Sequence, residues 1–293
     1  MKNFISLLPS FQTLDLTDLP DDAIVPYVRI YSSLYNLVSM NELDAEYGDR
    51  HIYLNQLRKL EGILKERYSK SPSITERATY LKTAYDIVYA GNTTDLRQKS
   101  EEYWNSASSL IEVYLNSQLH HTASFEETYA IMSLIFTQWY GYVDVDEGEL
   151  ITPRAITFAH HQLMLCAKEL SDIGEWPSVS KLDALKRIAL FQMNATMLMD
   201  GSFNETLDKA FLHYILKGDS TKNIEKEIIK YNVIQQSNLS NPQYRELLDT
   251  IANSLESQYE DIKDSNLQLL VCSVLVEHQT NKISESLQLS SFV

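Results

Sequence analysis

The sequence predicts an all-α fold of about eleven amphipathic helices, and three observations predict it: helix starts, several of them capped, at intervals of roughly 20 to 29 residues, apolar stripes of helical period between them, and few helix breakers. Eight glycines and seven prolines in 293 residues are too few for a fold rich in tight turns. With 44% hydrophobic residues, a chain of this length can bury a core without disulfides or metal.

Taken in order, residues 1–22 carry Pro9 and Pro20 and no helical stripe, so they are expected as an extended N-terminal arm, held by Phe4, Leu7, Leu8 and Phe11. Pro26 is expected to open the first helix, whose stripe is Tyr27, Ile30, Tyr31, Leu34 and Val38. The next helix starts near residue 50 and buries Tyr53, Leu57, Leu60 and Leu64. Ser73 with Glu76 forms a capping box, in which a hydroxyl and a carboxylate each satisfy an orphan amide, ahead of Ala78, Leu81 and Val88. A helix from about residue 95 presents Trp104, Ala107, Ile111 and Tyr114. A second box, Ser124 with Glu127, opens the helix of Tyr129, Met132, Phe136 and Trp139.

Beyond the midpoint, Thr152-Pro153 and Asn241-Pro242 each set a cap before proline at the first helical position. The first of these precedes Ile156, His160, Leu163, Ala167 and Leu170, and the second precedes Tyr244, Leu248, Ile251 and Leu255. Between them come starts near 180, 202 (the box Ser202 with Glu205) and 222. The last helix runs from near Ser265 to Asn281 with Leu269, Leu270, Val271, Val274 and Leu275, and the Ser-rich tail after Lys282 is expected to fray.

The regular spacing points to stacked antiparallel hairpins, either an α-solenoid or an irregular helical bundle. Residues Leu185 to Leu216 carry Ala189, Asn194 and Met197, then Gly201-Ser202-Phe203, then Ala210, and this hairpin resembles a tetratricopeptide repeat. It departs from the family pattern at Thr206, where a small residue is usual, and Tyr89-Ala90-Gly91-Asn92 is a fainter echo. The resemblance implies a TPR-like architecture over about one repeat. It carries over no functional residue. Residues 144–152, acidic and glycine-bearing, are expected to connect an N-terminal half, 23–143, with a C-terminal half, 153–293, unless these form one continuous domain.

Charge narrows the partners. Twenty-five Lys plus Arg against 40 Asp plus Glu give a net charge of −15, which repels phosphate backbones and anionic headgroups alike. Neither nucleic acid nor membrane is therefore expected as a partner, and no segment approaches the roughly 20 apolar residues of a membrane span. Cys166 and Cys272 lie in apolar helical runs and read as reduced core thiols. No small-x-small cleavage pattern precedes the acidic run from Asp15, and a cytoplasmic location is the expectation.

The common catalytic constellations lack their residues. No G-x-G, G-K-S/T or G-x-S-x-G occurs, and no histidine has a second ligand one helical turn away. The doublets His120-His121 and His160-His161 put neighbours about 100° apart on a helix, so one ring of each can be buried and the other exposed. Asp144 to Glu149 opens like a calcium loop, but the twelfth position holds Ala155, which supplies no bidentate carboxylate. Asp21-Asp22 lacks the further acidic residue of a diphosphate-binding metal site.

Arg154 and His160 match the spacing of an arginine–histidine pair in small helical ribonucleases, in which histidine moves protons and arginine steadies a phosphorane. In a chain with seven histidines such spacing arises by chance, and the net charge opposes an RNA substrate. Eighteen tyrosines, among them Tyr31, Tyr35, Tyr80, Tyr89, Tyr103, Tyr140 and Tyr142, either line a peptide-gripping groove or complete the outer layer of the core.

The leading expectation is a non-catalytic helical scaffold that binds a protein or peptide, with no catalytic, cofactor-binding or metal-ligating residue assigned. One alternative is a helical enzyme or small-molecule binder assembled from His160, Arg154, His121 and the 144–149 carboxylates. Another is an acidic decoy or immunity-type inhibitor of a basic protein.

Overall fold

A computed structural model describes residues 4–41, 43, 47–91, 96–117, 124–141, 153–171, 223–235 and 242–290. The fold is all-α: among the described residues there are ten α-helices and no strands. They are α1 (Phe4–Thr13), α2 (Asp21–Asn41), α3 (Arg50–Tyr68), α4 (Ile74–Gly91), α5 (Leu96–Ser117) and α6 (Phe125–Gly141). After these come α7 (Pro153–Ser171), α8 (Ile224–Gln235), α9 (Pro242–Gln258) and α10 (Ser265–Ser290), with a 3-10 turn at Tyr259–Asp261.

The capping boxes at Ser73 and Ser124 sit where the sequence places them, whereas Thr152, Ser202 and Asn241 lie outside the described residues. At Ser124 the box is reciprocal: the Glu127 amide donates to Ser124 Oγ at 3.2 Å, and the Ser124 amide donates to the Glu127 carboxylate at 3.4 Å. Ser73 Oγ accepts from the Glu76 amide at 3.2 Å. Asp49, Asn223 and Asp264 cap α3, α8 and α10 through their side-chain oxygens. Pro153 and Pro242 are first residues of their helices, where a missing N–H removes no intrahelical bond.

Three boundaries differ from expectation. The first is the N-terminal arm, which is helical over Phe4–Thr13 with Pro9 inside. One missing amide is outweighed by burial of Leu8 and Phe11, and Thr13 Oγ1 donates to the Pro9 carbonyl at 3.1 Å. Secondly, α2 begins at Asp21 and not at Pro26, because the Ala23 amide donates to the Pro20 carbonyl at 3.0 Å and two aspartates in the first turn suit the helix dipole. The third is α10, which continues past Asn281 to Ser290; Thr280 and Ser286 turn their hydroxyls back onto the carbonyls of Glu277 and Ile283 within the helix.

The helices divide into two units, one comprising Met1–Ser71, Thr83–Tyr103 and Ala252–Val293, the other Pro72–Lys82 and Trp104–Ile251. The C-terminal helix groups with the N-terminal ones in the first unit. The connector 144–152 itself lies outside the described residues, as does the hairpin 185–216.

In the first unit α2 packs against both α3 and α10. Its stripe residues Ile30, Tyr31, Leu34 and Val38 are fully buried, as are Tyr53, Leu57 and Leu60 of α3 and Val271 and Val274 of α10. Arg29 pairs with Glu277 and Asn266 donates to Asp22, so α10 is fastened to α2 near two points along its length. The buried Glu61 carboxylate accepts from Tyr103 Oη at 2.6 Å, a charge-assisted bond that offsets its desolvation.

In the second unit α6 packs against α7, and Tyr114 of α5 meets Phe158 of α7 edge to face, with ring centroids 5.7 Å apart. Tyr114 Oη and Thr128 Oγ1 share a hydrogen bond of 3.0 Å. Gln138 of α6 is buried and donates both to the Trp104 carbonyl and to Ser108 Oγ, at 3.0 Å each, which ties α6 to α5.

Candidate functional site

An open cleft of about 400 Å³ lies in the first unit between α1 and α3, lined by Gln12, Ile52, Asn55, Gln56 and Lys59. Four of these residues stand at i, i+3, i+4 and i+7, which places them on one face of α3 beside its apolar stripe. Gln12 comes from the last turn of α1, so the cleft exists only because the N-terminal segment is folded onto α3.

Three polar ties hold that segment. Gln56 Nε2 donates to the Leu14 carbonyl at 2.9 Å, and Arg67 Nη1 donates to the Leu19 carbonyl at 2.6 Å and to the Asp21 carboxylate at 2.7 Å. Tyr53 Oη donates to the Tyr47 carbonyl at 2.6 Å and meets Gln12 Nε2 at 3.5 Å, the outer limit of a hydrogen bond. Burial raises the Tyr53 phenol above its ordinary range, with Gln12 working the other way.

Gln56 is 4% exposed, yet only one end of its amide is satisfied. With Nε2 fixed on Leu14, the buried Oε1 has no hydrogen-bond partner. Lys59 and Asn55 are exposed at the rim, and Ile52 is half-buried. Asp15 also feels Lys59, but its Oδ1 accepts from Thr17 Oγ1 at 2.6 Å and from the Thr17 amide at 3.0 Å, and these bonds are the main reason its carboxyl titrates low. The cleft offers an aliphatic floor, amide groups and one cation, a set suited to recognition.

The residues singled out for chemistry have other work or fall elsewhere. Arg154, in the first turn of α7, donates to the Leu115 carbonyl at 2.9 Å and to Asn116 Oδ1 at 2.7 Å, and lies 3.5 Å from the Glu112 carboxylate. Leu115 and Asn116 belong to the last turn of α5, so the guanidinium caps a helix C-terminus. Its partner in the ribonuclease-like spacing, His160, lies in α7 with its side chain outside the described residues, while His121 and the carboxylates 144–149 lie outside them altogether. His161 is exposed.

Asp21 and Asp22, in the first turn of α2, are engaged by Arg67 and Asn266. Cys272 is a free, buried thiol pushed up to about 11 by that burial, a setting in which it is unreactive. Cys166 lies in α7 with its side chain outside the described residues. Among the described residues no cluster of three or more His, Cys, Asp or Glu could hold a metal ion, and no helix is long and apolar enough to cross a membrane.

Tyr31, Tyr80 and Tyr103 are buried and belong to the core; Tyr35 is half-buried, the side chain of Tyr89 is not described, and nor is that of Tyr140. Tyr142 lies outside the described residues.

The cleft residues were not foreseen from sequence. The stripe Tyr53, Leu57, Leu60 and Leu64 fixes which face of α3 is buried, so Gln56 beside Leu57 could have been marked as a polar group at the edge of that face. Gln12 could not, because nothing local announces that α1 returns to α3. The chain matches no family model, no curated protein and no solved structure.

Proposed function

We propose that the protein is a non-catalytic, helical-repeat-like scaffold of the cytoplasm that binds a protein or peptide segment. The observation that supports this reading best is the cleft on α3: amides, an aliphatic side chain and a lysine suit main-chain groups and short apolar side chains, and the lining holds no paired acid and base. A second support is that Arg154, the residue best suited to phosphoryl chemistry, is spent on the end of α5. The acidic surface keeps such a scaffold soluble and apart from nucleic acid.

The test is in-cell crosslinking of the full chain followed by mass spectrometry, run beside a thermal-shift screen of metabolites. Crosslinks to one protein, reproduced with purified components, are the expected result. No protein partner, together with a metabolite that raises the melting temperature, would overturn the reading.

A further inference from the structure

Building on the scaffold reading, we infer that the N-terminal segment, residues 4–19, is a built-in occupant of a docking face on α2 and α3, and that a protein partner takes this face by displacing it. The segment is held as a docked peptide is held. Leu8, Phe11 and Leu16 are buried anchors, while Pro9, Thr13, Asp15, Thr17 and Asp18 around them are exposed. Its backbone is gripped by side chains of the body. Tyr31 of α2 donates to the Phe11 carbonyl at 2.8 Å, Gln56 of α3 to that of Leu14 at 2.9 Å, and Arg67 of α3 to that of Leu19 at 2.6 Å. Every sequence carries these carbonyls, so the three donors accept any segment that brings apolar side chains at the anchor spacing.

Three features make the occupant exchangeable. α1 has ten residues with Pro9 inside it, short of the roughly 12–15 at which even a good isolated helix is marginal, so it owes its helicity to the seat. The seat is also larger than its occupant, since an open cleft of about 400 Å³ remains along α3 beside Gln12. Finally, α2 packs directly on α3 and on α10, and release of α1 leaves those pairings in place. The partner is therefore a segment with apolar residues spaced as Leu8, Phe11 and Leu16, helical at the first two and not at the third. While the cis segment is seated, it lowers a competitor's apparent affinity in proportion to the time the face is covered.

The experiment adds a fluorescent peptide of residues 4–20 to the full chain and to its Leu8→Asp variant, in which a carboxylate at a buried anchor drives the cis segment off its seat. Binding should be saturable and at least about tenfold tighter to Leu8→Asp than to the parent. The side-chain amide NMR signals of Gln12 and Gln56 should shift in the variant, and that of Gln56 should return to its parental position as peptide is added. The same peptide carrying Leu16→Asp should not bind. Hydrogen exchange of the unaltered chain is an independent measurement: amides of α1 should exchange at least about 100-fold faster than those in the middle of α2.

Failure of the peptide to bind Leu8→Asp would overturn the inference. Loss of amide protection throughout α2 and α10 in that variant, or equal exchange of α1 and α2 in the parent, would do the same, since either makes α1 an inseparable part of the core. A crosslinked partner captured equally by the parent and by Leu8→Asp removes the inference alone, whereas peptide exchange in a chain that has no protein partner leaves the exchangeable segment standing and removes the scaffold.

Discussion

The hydroxyl of Tyr31 donates to the carbonyl of Phe11 at 2.8 Å, so the middle of α2 closes off the end of α1. Phe11 lies within the last four residues of α1, whose carbonyls have no donor inside the helix. Tyr31 is fully buried, and water cannot replace it there. Removing the hydroxyl as Tyr31→Phe keeps the ring packing and strands a carbonyl, at a cost of about 1–2 kcal/mol. A fall in the urea midpoint with an unchanged slope is the expected signature. A midpoint equal to that of the parent would show that the bond contributes nothing.

Arg154 invites a different contrast, between cap and catalyst. As a cap it contributes through the Leu115 carbonyl and Asn116; the carboxylate of Glu112 adds little, since both side chains of that pair are more than a third exposed. Arg154→Gln should therefore lower stability by about 0.5–1 kcal/mol and loosen the end of α5. Hydrogen exchange of the amides around Val113 to Ser117 is the direct readout. Unchanged protection there would refute the capping role.

Alkaline pH tests the tyrosine layer. Burial is the leading cause that raises the phenols of Tyr27, Tyr31, Tyr53, Tyr114 and Tyr129; Tyr259 is pushed up to about 12 and the Cys272 thiol to about 11. The unfolded chain releases these protons near the ordinary values of 9.0 for the thiol and 10.0 for a phenol. Between those values and the raised ones the folded state holds more protons than the unfolded state, so stability is complete below about pH 9 and declines as pH climbs toward 12. Each group contributes a slope of at most about 1.4 kcal/mol per pH unit within its own window, and less where solvent screens it. Urea midpoints at pH 8, 10 and 11 should fall in that order, and tyrosinate absorbance should rise together with unfolding. A flat series would contradict the burial of this layer.

Much of the fold was legible because helices announce themselves locally. The boxes at Ser73 and Ser124 and the prolines at 153 and 242 mark starts that depend only on neighbouring residues. Likewise the stripe Tyr53, Leu57, Leu60 and Leu64 is buried as its period requires. What local patterns could not convey was long-range pairing. Pro9 reads as a breaker, yet α1 forms around it because Leu8 and Phe11 find a buried place and Gln56 and Tyr31 supply polar ties from other helices. The return of α10 to α2 is equally silent, since Arg29 and Glu277 are far apart in the chain. The cleft inherits this blindness: three of its polar residues share a helix face, but the fourth arrives with α1.

Two glycines make opposing predictions from the same rule. Gly48, just ahead of the α3 cap, has φ +101°, a region open to glycine and strained for other residues. A methyl group there would also press on the Gln12 side chain and come within 2.6 Å of Tyr53 Oη, the two groups that meet beside the cleft. Gly48→Ala should cost about 1–3 kcal/mol and shift the Gln12 side-chain signal, because strain and crowding act together. Gly62 stands in the interior of α3, exposed, with nothing within 4 Å of an added Cβ. There alanine keeps its native backbone and reduces only the freedom of the unfolded chain, so Gly62→Ala should stabilise by about 0.5–1 kcal/mol. Thermal melts of both variants decide the matter. Opposite shifts are expected, and a stabilising Gly48→Ala would mean that the turn before α3 does not hold this backbone in solution.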